Sequence, residues 1–252
     1  MANPGGWIWY ELLTSDVDGA LKFYREVVGW KWTPHAVVPG YHLFNAGDVA
    51  IGGMMAMPWD ASFHKPAWLG YVYAPDVDAT VASAKSDGAT VVVPPTEYPG
   101  VGRFSMLVDP QGALIYVMNP TPQGALSESF AAKVGHCQWN ELVTSDPVAA
   151  AAFYVKNLGW QKGEVMSMGP MGDYQFLIGG GTRFGAVMKR AAGEPLWRYY
   201  FGVDDIDRAT RAITAAGGQL RGEPQPVPGG GFAAAALDPQ GAEFGVAGPR
   251  KA

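Results

Sequence analysis

The chain has 252 residues, 48% of them hydrophobic and 16% charged, with a formal net charge of −5. That balance suits a filled globular interior, and the scattered Lys and Arg exclude nucleic acid as a main partner, because phosphate binding needs a concentrated basic surface. A single cysteine, Cys137, excludes an internal disulfide framework; with no membrane-length apolar run and no signal peptide read at the start, a cytoplasmic protein is expected.

Residues 7–14 alternate and predict a strand. Ser15-Asp16 then supplies a helix N-cap, and Ala20, Phe23, Tyr24 and Val27 fall at helical spacing up to Gly29. Strands at 41–46 and 49–57 flank the hairpin signal Gly47-Asp48. The order restarts with a strand at 69–74, a cap near Asp76, a helix over 77–86 stopped by Gly88, and strands at 90–93, 104–109 and 114–118. A segment rich in Pro and Gly follows, with a short helix expected over 125–132. Beyond it come a strand at 139–144, a helix at 147–157, strands at 173–178 and 183–188, a strand at 199–203, a helix at 206–216 and strands within 232–246.

The second half copies the first. Trp9-Tyr-Glu-Leu-Leu-Thr-Ser-Asp16 returns as Trp139-Asn-Glu-Leu-Val-Thr-Ser-Asp146, a shift of 139 − 9 = 130. Phe23-Tyr24 and Gly29-Trp30 match Phe153-Tyr154 and Gly159-Trp160 in the same frame, and Asp109-Pro-Gln-Gly112 recurs as Asp238-Pro-Gln-Gly241. Each copy therefore contains two βαβββ modules, giving an α+β chain of four modules. The expected domains are 1–122 and 135–252, joined by a linker at 123–134. The glycine runs at 179–181 and 229–231 fit neither phosphate-loop pattern and read as turns.

The strand ending in Ser-Asp, the helix carrying Phe-Tyr, the Gly-Trp after it and the Asp-Pro-x-Gly hairpin resemble the glyoxalase, bleomycin-resistance and extradiol-dioxygenase (vicinal oxygen chelate) superfamily. The resemblance covers residues 7–120 and 137–249. It is similar to the tandem glyoxalase-like proteins of actinobacteria, a mycobacterial secreted antigen among them. It implies two domains whose mixed sheets curl into cups that receive a small molecule.

Members that do chemistry usually hold a divalent metal with His and Glu inside the cup. Mapped through the motifs, the first ligand position is Trp9, or Trp139 in the second copy; the next is Leu69, or Arg198. The carboxylate position is Tyr116, or Gly245, and the remaining one falls within 54–56, or 187–189. None of these residues is a plausible ligand, and such sites need several converging imidazoles or carboxylates. The four histidines, His35, His42, His64 and His136, do not replace them: His136 and Cys137 are read as neighbours on a strand, facing opposite ways. No metal and no cofactor are expected.

Period-two geometry, anchored by that ligand position, points Trp9, Glu11, Tyr71, Tyr73, Tyr116 and Met118 into the first cup, and Trp139, Glu141, Arg198, Tyr200 and Glu243 into the second. Of these, Trp9, Glu11, Tyr71, Tyr116, Trp139, Glu141, Arg198, Tyr200 and Glu243 are the ligand-binding candidates. Glu11 and Glu141 are also the catalytic candidates, since desolvation suits a carboxylate to proton transfer; a structural hydrogen bond to a neighbouring strand or Tyr hydroxyl is the favoured account of them. Trp9 and Trp139 could instead simply fill the vacated space. Arg198 could receive an anion or pair with Glu243 or Glu141. The leading expectation is a metal-free protein that binds a small, partly aromatic metabolite or drug, for sequestration, resistance or sensing. The alternative is a metal-independent lyase, isomerase or hydroxylase-like enzyme with a cup Glu or Tyr as acid or base. A residual metal-dependent glyoxalase or dioxygenase is the third. The expected partner is a small molecule alone, neither nucleic acid nor membrane, with the chain a monomer or homodimer.

Overall fold

A computed structural model describes residues 3–57, 65–121 and 129–251. The first copy runs β1 (Trp7–Thr14), α1 (Val17–Val28), β2 (Lys31–Pro34), β3 (His42–Ala46), β4 (Val49–Ala56), β5 (Ala67–Tyr73), α2 (Val77–Ser86), β6 (Thr90–Tyr98), β7 (Gly102–Val108) and β8 (Leu114–Pro120). The second runs β9 (Cys137–Thr144), α3 (Pro147–Leu158), β10 (Gln161–Ser167), β11 (Asp173–Gly179), β12 (Thr182–Lys189), β13 (Leu196–Gly202), α4 (Ile206–Ala215), β14 (Gln219–Leu220), β15 (Gln225–Val227), β16 (Gly231–Leu237) and β17 (Glu243–Gly248). One sheet has the order β2-β3-β4-β1-β5-β8-β7-β6; the other has β10-β11-β12-β9-β13-β17-β16-β14, with β15 beside β16. Both are mixed, each pairing β1·β4 or β9·β12, and β5·β8 or β13·β17, in parallel. Among the described residues no helix is long and apolar enough to cross a membrane.

The caps work as the sequence implies. Asp16, Asp76 and Asp146 each accept a backbone N–H three residues on, and Gly29 and Gly159 close α1 and α3 in the left-handed conformation. Departures from the expected elements are local. β2 and β10 are additional outer strands, and β6 runs past Pro94 and Pro95 to Tyr98 through two register shifts. The helix expected over 125–132 lies partly outside the described residues. Within the described part, Phe130 instead forms an isolated bridge to Cys137, and β9 begins at Cys137, so His136 precedes the strand.

The sheets follow the copies, whereas the two compact units take one module from each. Unit one comprises Met1–Ile8, Leu69–Leu126 and Asn140–Trp197. Its α2 and α3 pack together, and beside them Trp7, Phe184 and Trp197 surround Trp160 at ring separations of 4.5–5.8 Å. Unit two comprises Trp9–Trp68, Ser127–Trp139 and Arg198–Ala252. There α1 packs on α4, and Phe44, Trp68 and Phe201 surround Trp30 at 4.6–5.8 Å.

Each unit is pinned by the same buried clasp. In unit two the Tyr24 hydroxyl donates to Asp238 Oδ2 at 3.0 Å and accepts from Trp68 Nε1 at 2.7 Å. In unit one the Tyr154 hydroxyl donates to Asp109 Oδ2 at 2.9 Å and accepts from Trp197 Nε1 at 3.0 Å. The other oxygen of each aspartate accepts backbone N–H groups of its own turn, from Gln111, Gly112 and Ala113 or from Gln240 and Ala242. The indoles of Trp30 and Trp160 donate to Gly135 and Gly5, each at 2.7 Å. The Phe-Tyr, Gly-Trp and Asp-Pro-Gln-Gly motifs are therefore core fasteners. The Tyr–Asp bonds join a helix of one copy to a hairpin of the other, and the indoles tie each Gly-Trp to the segment just before the other copy's first strand.

Candidate functional site

Register decides which side chains are left for function. On β1, Tyr10 turns inward to meet the Tyr199 and Phe201 rings at 5.1 and 6.2 Å. Alternation therefore sends Trp9 and Glu11 to the opposite face. On β13 the core takes Trp197, Tyr199 and Phe201, leaving Arg198 and Tyr200 outside it; on β17 Phe244 packs on Phe23 and Tyr24, leaving Glu243 and Gly245. Each module thus offers a small cluster on the face its helix does not cover.

In the first module the Trp9 indole donates to the Tyr41 hydroxyl at 2.8 Å. The Tyr41 ring lies against Gly53, which is the β4 partner of Glu11; a Cβ on Gly53 would stand 2.1 Å from that ring's oxygen. Glu11 is 5% exposed. In the third module, the counterpart in the second copy, the Tyr174 hydroxyl donates to Glu141 Oε1 at 2.8 Å, and the β12 partner of Glu141 is Ala186. Trp139 is half-buried at the outer end of β9, with its carbonyl accepting from the Cys137 thiol. Burial pushes that thiol's pKa up to about 12, so it stays protonated.

The second and fourth modules differ more. Tyr71 and Tyr116 are register partners whose rings stack at 4.1 Å and 2°, with Phe104 against the Tyr116 edge. At the matching place Tyr200 pairs with Gly245, and its ring occupies the space a Cβ on Gly245 would need. Beside it Arg198 Nε donates to Glu243 Oε1 at 2.9 Å, Nη2 reaches the same oxygen, and Nη1 lies 3.4 Å from the Tyr200 hydroxyl. The Arg198 and Glu243 side chains are 14% and 9% exposed, so the pair is largely desolvated. The first copy has Leu69 and Leu114 at these two positions.

The structure thus brings together Arg198, Glu243 and Tyr200, and separately Tyr71 with Tyr116. Glu141 and Trp9 instead meet Tyr174 and Tyr41, which the sequence reading does not single out. Their trace in the sequence is that 41 and 174 correspond at a shift of 133, three more than the motifs. Among the described residues no three His, Cys, Asp or Glu side chains gather so as to hold a metal ion. His35 Nδ1 accepts the Val37 and Val38 N–H groups, and His136 Nδ1 lies 3.1 Å from the Val134 carbonyl; both are absorbed by turns. His64 lies outside the described residues. The groups present do not fit a divalent ion: one carboxylate position is a glycine under a phenol ring, and the other is a stacked tyrosine.

Comparison with protein families matches residues 7–117 and 133–246 to the Glyoxalase/Bleomycin resistance protein/Dioxygenase superfamily. A Mycobacterium tuberculosis protein named "Putative glyoxylase CFP32" is 32% identical over 247 residues, covering 96% of this chain and 94% of that one. The anthracycline biosynthesis protein DnrV of Streptomyces peucetius is 29% identical over 266 residues, covering 96% and 93%. Among solved structures, the Mn(II)-bound glyoxalase from Novosphingobium aromaticivorans superposes with a TM-score of 0.66 at 16% identity, covering 100% of this chain and 84% of that one. A homoprotocatechuate 2,3-dioxygenase variant from B. fuscum gives 0.70 at 16%, covering 99% and 72%. These structural likenesses establish the fold.

Proposed function

The chain belongs to the glyoxalase/bleomycin resistance protein/dioxygenase superfamily, and from that premise we propose that it binds a small, partly aromatic metabolite or drug without a metal ion, for sequestration, resistance or sensing. One observation carries this reading: the positions at which the family resemblance implies metal ligands are occupied here by Trp9, Leu69 and Tyr116 and by Trp139, Arg198 and Gly245. Aromatic faces with a few fixed polar groups are the usual make-up of a small-molecule site. Tyr71, Tyr116, Trp9 and Trp139 supply the faces. Glu11, Glu141, Tyr200 and the Arg198–Glu243 pair supply the polar atoms. The likeness to an anthracycline biosynthesis protein directs the choice of ligand towards fused, hydroxylated aromatic rings.

The test titrates EDTA-treated protein with a dihydroxyanthraquinone and follows tryptophan fluorescence. A Kd of about 1 μM is expected, near −8 kcal/mol, unchanged by chelator and weakened roughly tenfold by Tyr116→Ala. Binding that arises only after Mn(II) or Fe(II) is added, or no binding at all, would overturn the proposal.

A further inference from the structure

The first module carries an occupant of its own. Trp9 and Glu11 share the outer face of β1, and Gly53 stands beside Glu11 on β4. A Cβ on Gly53 would come within 2.1 Å of the Tyr41 hydroxyl oxygen and 2.2 Å of Cε1 and Cζ, so its three nearest atoms all belong to that ring. The backbone does not ask for glycine here, because φ at 53 lies outside the left-handed region. A glycine inside a strand often marks a place where something else comes close. At Gly53 that something is a phenol, and its oxygen accepts from the Trp9 indole at 2.8 Å. We propose that this place is a ligand subsite held by a side chain: a phenolic ring of the bound compound displaces Tyr41 from Gly53 and presents its oxygen to Trp9 Nε1. The inference rests on the binding reading above and deepens it, because the ring already seated there identifies a hydroxylated aromatic ring as the group recognised.

Tyr41 is placed so that its ring can leave without its backbone. It lies just before β3, at the end of a turn in which Ala36, Val37, Pro39 and Gly40 are exposed. The His35 N–H donates to the Tyr41 carbonyl at 2.8 Å, and the Tyr41 N–H donates to the Val38 carbonyl at 3.3 Å. Those bonds fix the main chain while the half-buried ring turns about its side-chain bonds. The second copy is built differently at this place: Ala186, the β12 partner of Glu141, puts a methyl where Gly53 has none. One such subsite per chain follows. Since ring and ligand compete, the apparent affinity falls in proportion to the time the subsite is open.

The test uses the full chain and three probes: a dihydroxyanthraquinone, 4-methylphenol (the tyrosine side chain cut free) and toluene, which has the same ring without the hydroxyl. Ligand-observed NMR follows binding. Tyr41→Ala should bind the anthraquinone about tenfold tighter than wild type, and should take up 4-methylphenol about tenfold tighter than toluene. Adding Trp9→Phe should erase the preference for the hydroxyl. Gly53→Ala displaces only the end of a side chain, so the fold should persist while anthraquinone binding weakens at least about tenfold. Anthraquinone bound equally by wild type, Tyr41→Ala and Gly53→Ala overturns the subsite and leaves the binding reading standing. Toluene bound by Tyr41→Ala as well as 4-methylphenol also overturns it. No binding of any probe by any of these proteins overturns both.

Discussion

The two clasps are alike in both copies, whereas the four outer clusters are not. Tyr24, Trp68 and Asp238 match Tyr154, Trp197 and Asp109 residue for residue, with hydrogen bonds that agree within 0.3 Å. On the outer strand faces, by contrast, the Tyr71–Tyr116 stack of the first copy corresponds to a Tyr200–Gly245 cradle in the second, and Leu69 with Leu114 correspond to Arg198 with Glu243. A buried hydrogen-bond network cannot lose one member without leaving the others unsatisfied, so the clasp resists piecemeal change. The outer face tolerates it. What the two copies share therefore specifies the fold, and what they do not share is where differences of function belong.

The comparison is broken most directly at the clasp. Asp238→Ala strips the acceptor from the Tyr24 hydroxyl and from two turn N–H groups, all in buried or part-buried surroundings. A loss of about 4 kcal/mol is expected, or roughly a 12 °C fall in Tm for a chain of this size. Asp109→Ala should match it within about 1 kcal/mol. Thermal unfolding of the two variants side by side is the measurement. Unequal losses, with one near zero, would show that the clasps are alike in geometry but not in weight.

Next comes the outer face, where the difference can be sharpened by grafting one copy onto the other. Arg198→Leu installs the residue of the first copy but removes the guanidinium from Glu243, whose side chain is 9% exposed, and should cost about 2–3 kcal/mol. Adding Glu243→Leu completes the graft, because Leu114 is the counterpart of Glu243. The double variant should recover to within about 1 kcal/mol of wild type, since replacing both partners of a desolvated pair by apolar residues is often neutral. Equilibrium urea unfolding gives both values. A double variant as unstable as the single would mean that Arg198 and Glu243 answer to other partners more than to each other.

Much of this contrast is legible in the sequence, and the part that is not has a physical cause. β1, α1 and α2 follow from alternation, helical spacing and Asp caps, all of which act within a few residues. β2 escaped because all four of its residues are exposed and show no apolar period, and β10 is likewise mostly exposed. The strand expected at 90–93 extends to Tyr98 because register shifts accommodate Pro94 and Pro95 on the outermost strand, where proline is tolerated. Face assignments for Glu11, Tyr71, Arg198 and Glu243 follow from the period of two once the family resemblance anchors one position on each strand. Their partners did not follow from local pattern. Tyr41 lies just outside β3 and Tyr174 at a different offset from the motifs. That Tyr24 of one copy would meet Asp238 of the other is a pairing 214 residues apart.

The smallest effect separates the clasps from the surface by pH. Burial, the dominant cause, raises the carboxyl pKa of Asp109 and Asp238 above the ordinary value of 3.8, against the pull of their hydrogen bonds. A raised folded-state pKa means the folded chain holds these protons more tightly than the unfolded one. Their contribution to stability is then fully present below 3.8 and is lost as pH rises through the folded values. The half-buried Asp87 runs the other way: hydrogen bonds from Lys156 and then Asn157 hold its pKa low, as Arg103 does for Asp78. Those contributions are present above 3.8 and fade as pH falls through the folded values. On acidification from about pH 6 to about pH 4 the clasps therefore gain, while the Asp78 and Asp87 pairs largely keep their contribution until the pH falls below about 3.8. Asp109→Asn/Asp238→Asn removes the gain, so its Tm should fall over that interval by about 2 °C more than wild type does. A variant whose Tm falls less would mean that the clasp aspartates are ionised throughout, held so by the turn N–H groups and the tyrosine hydroxyls more strongly than burial opposes them.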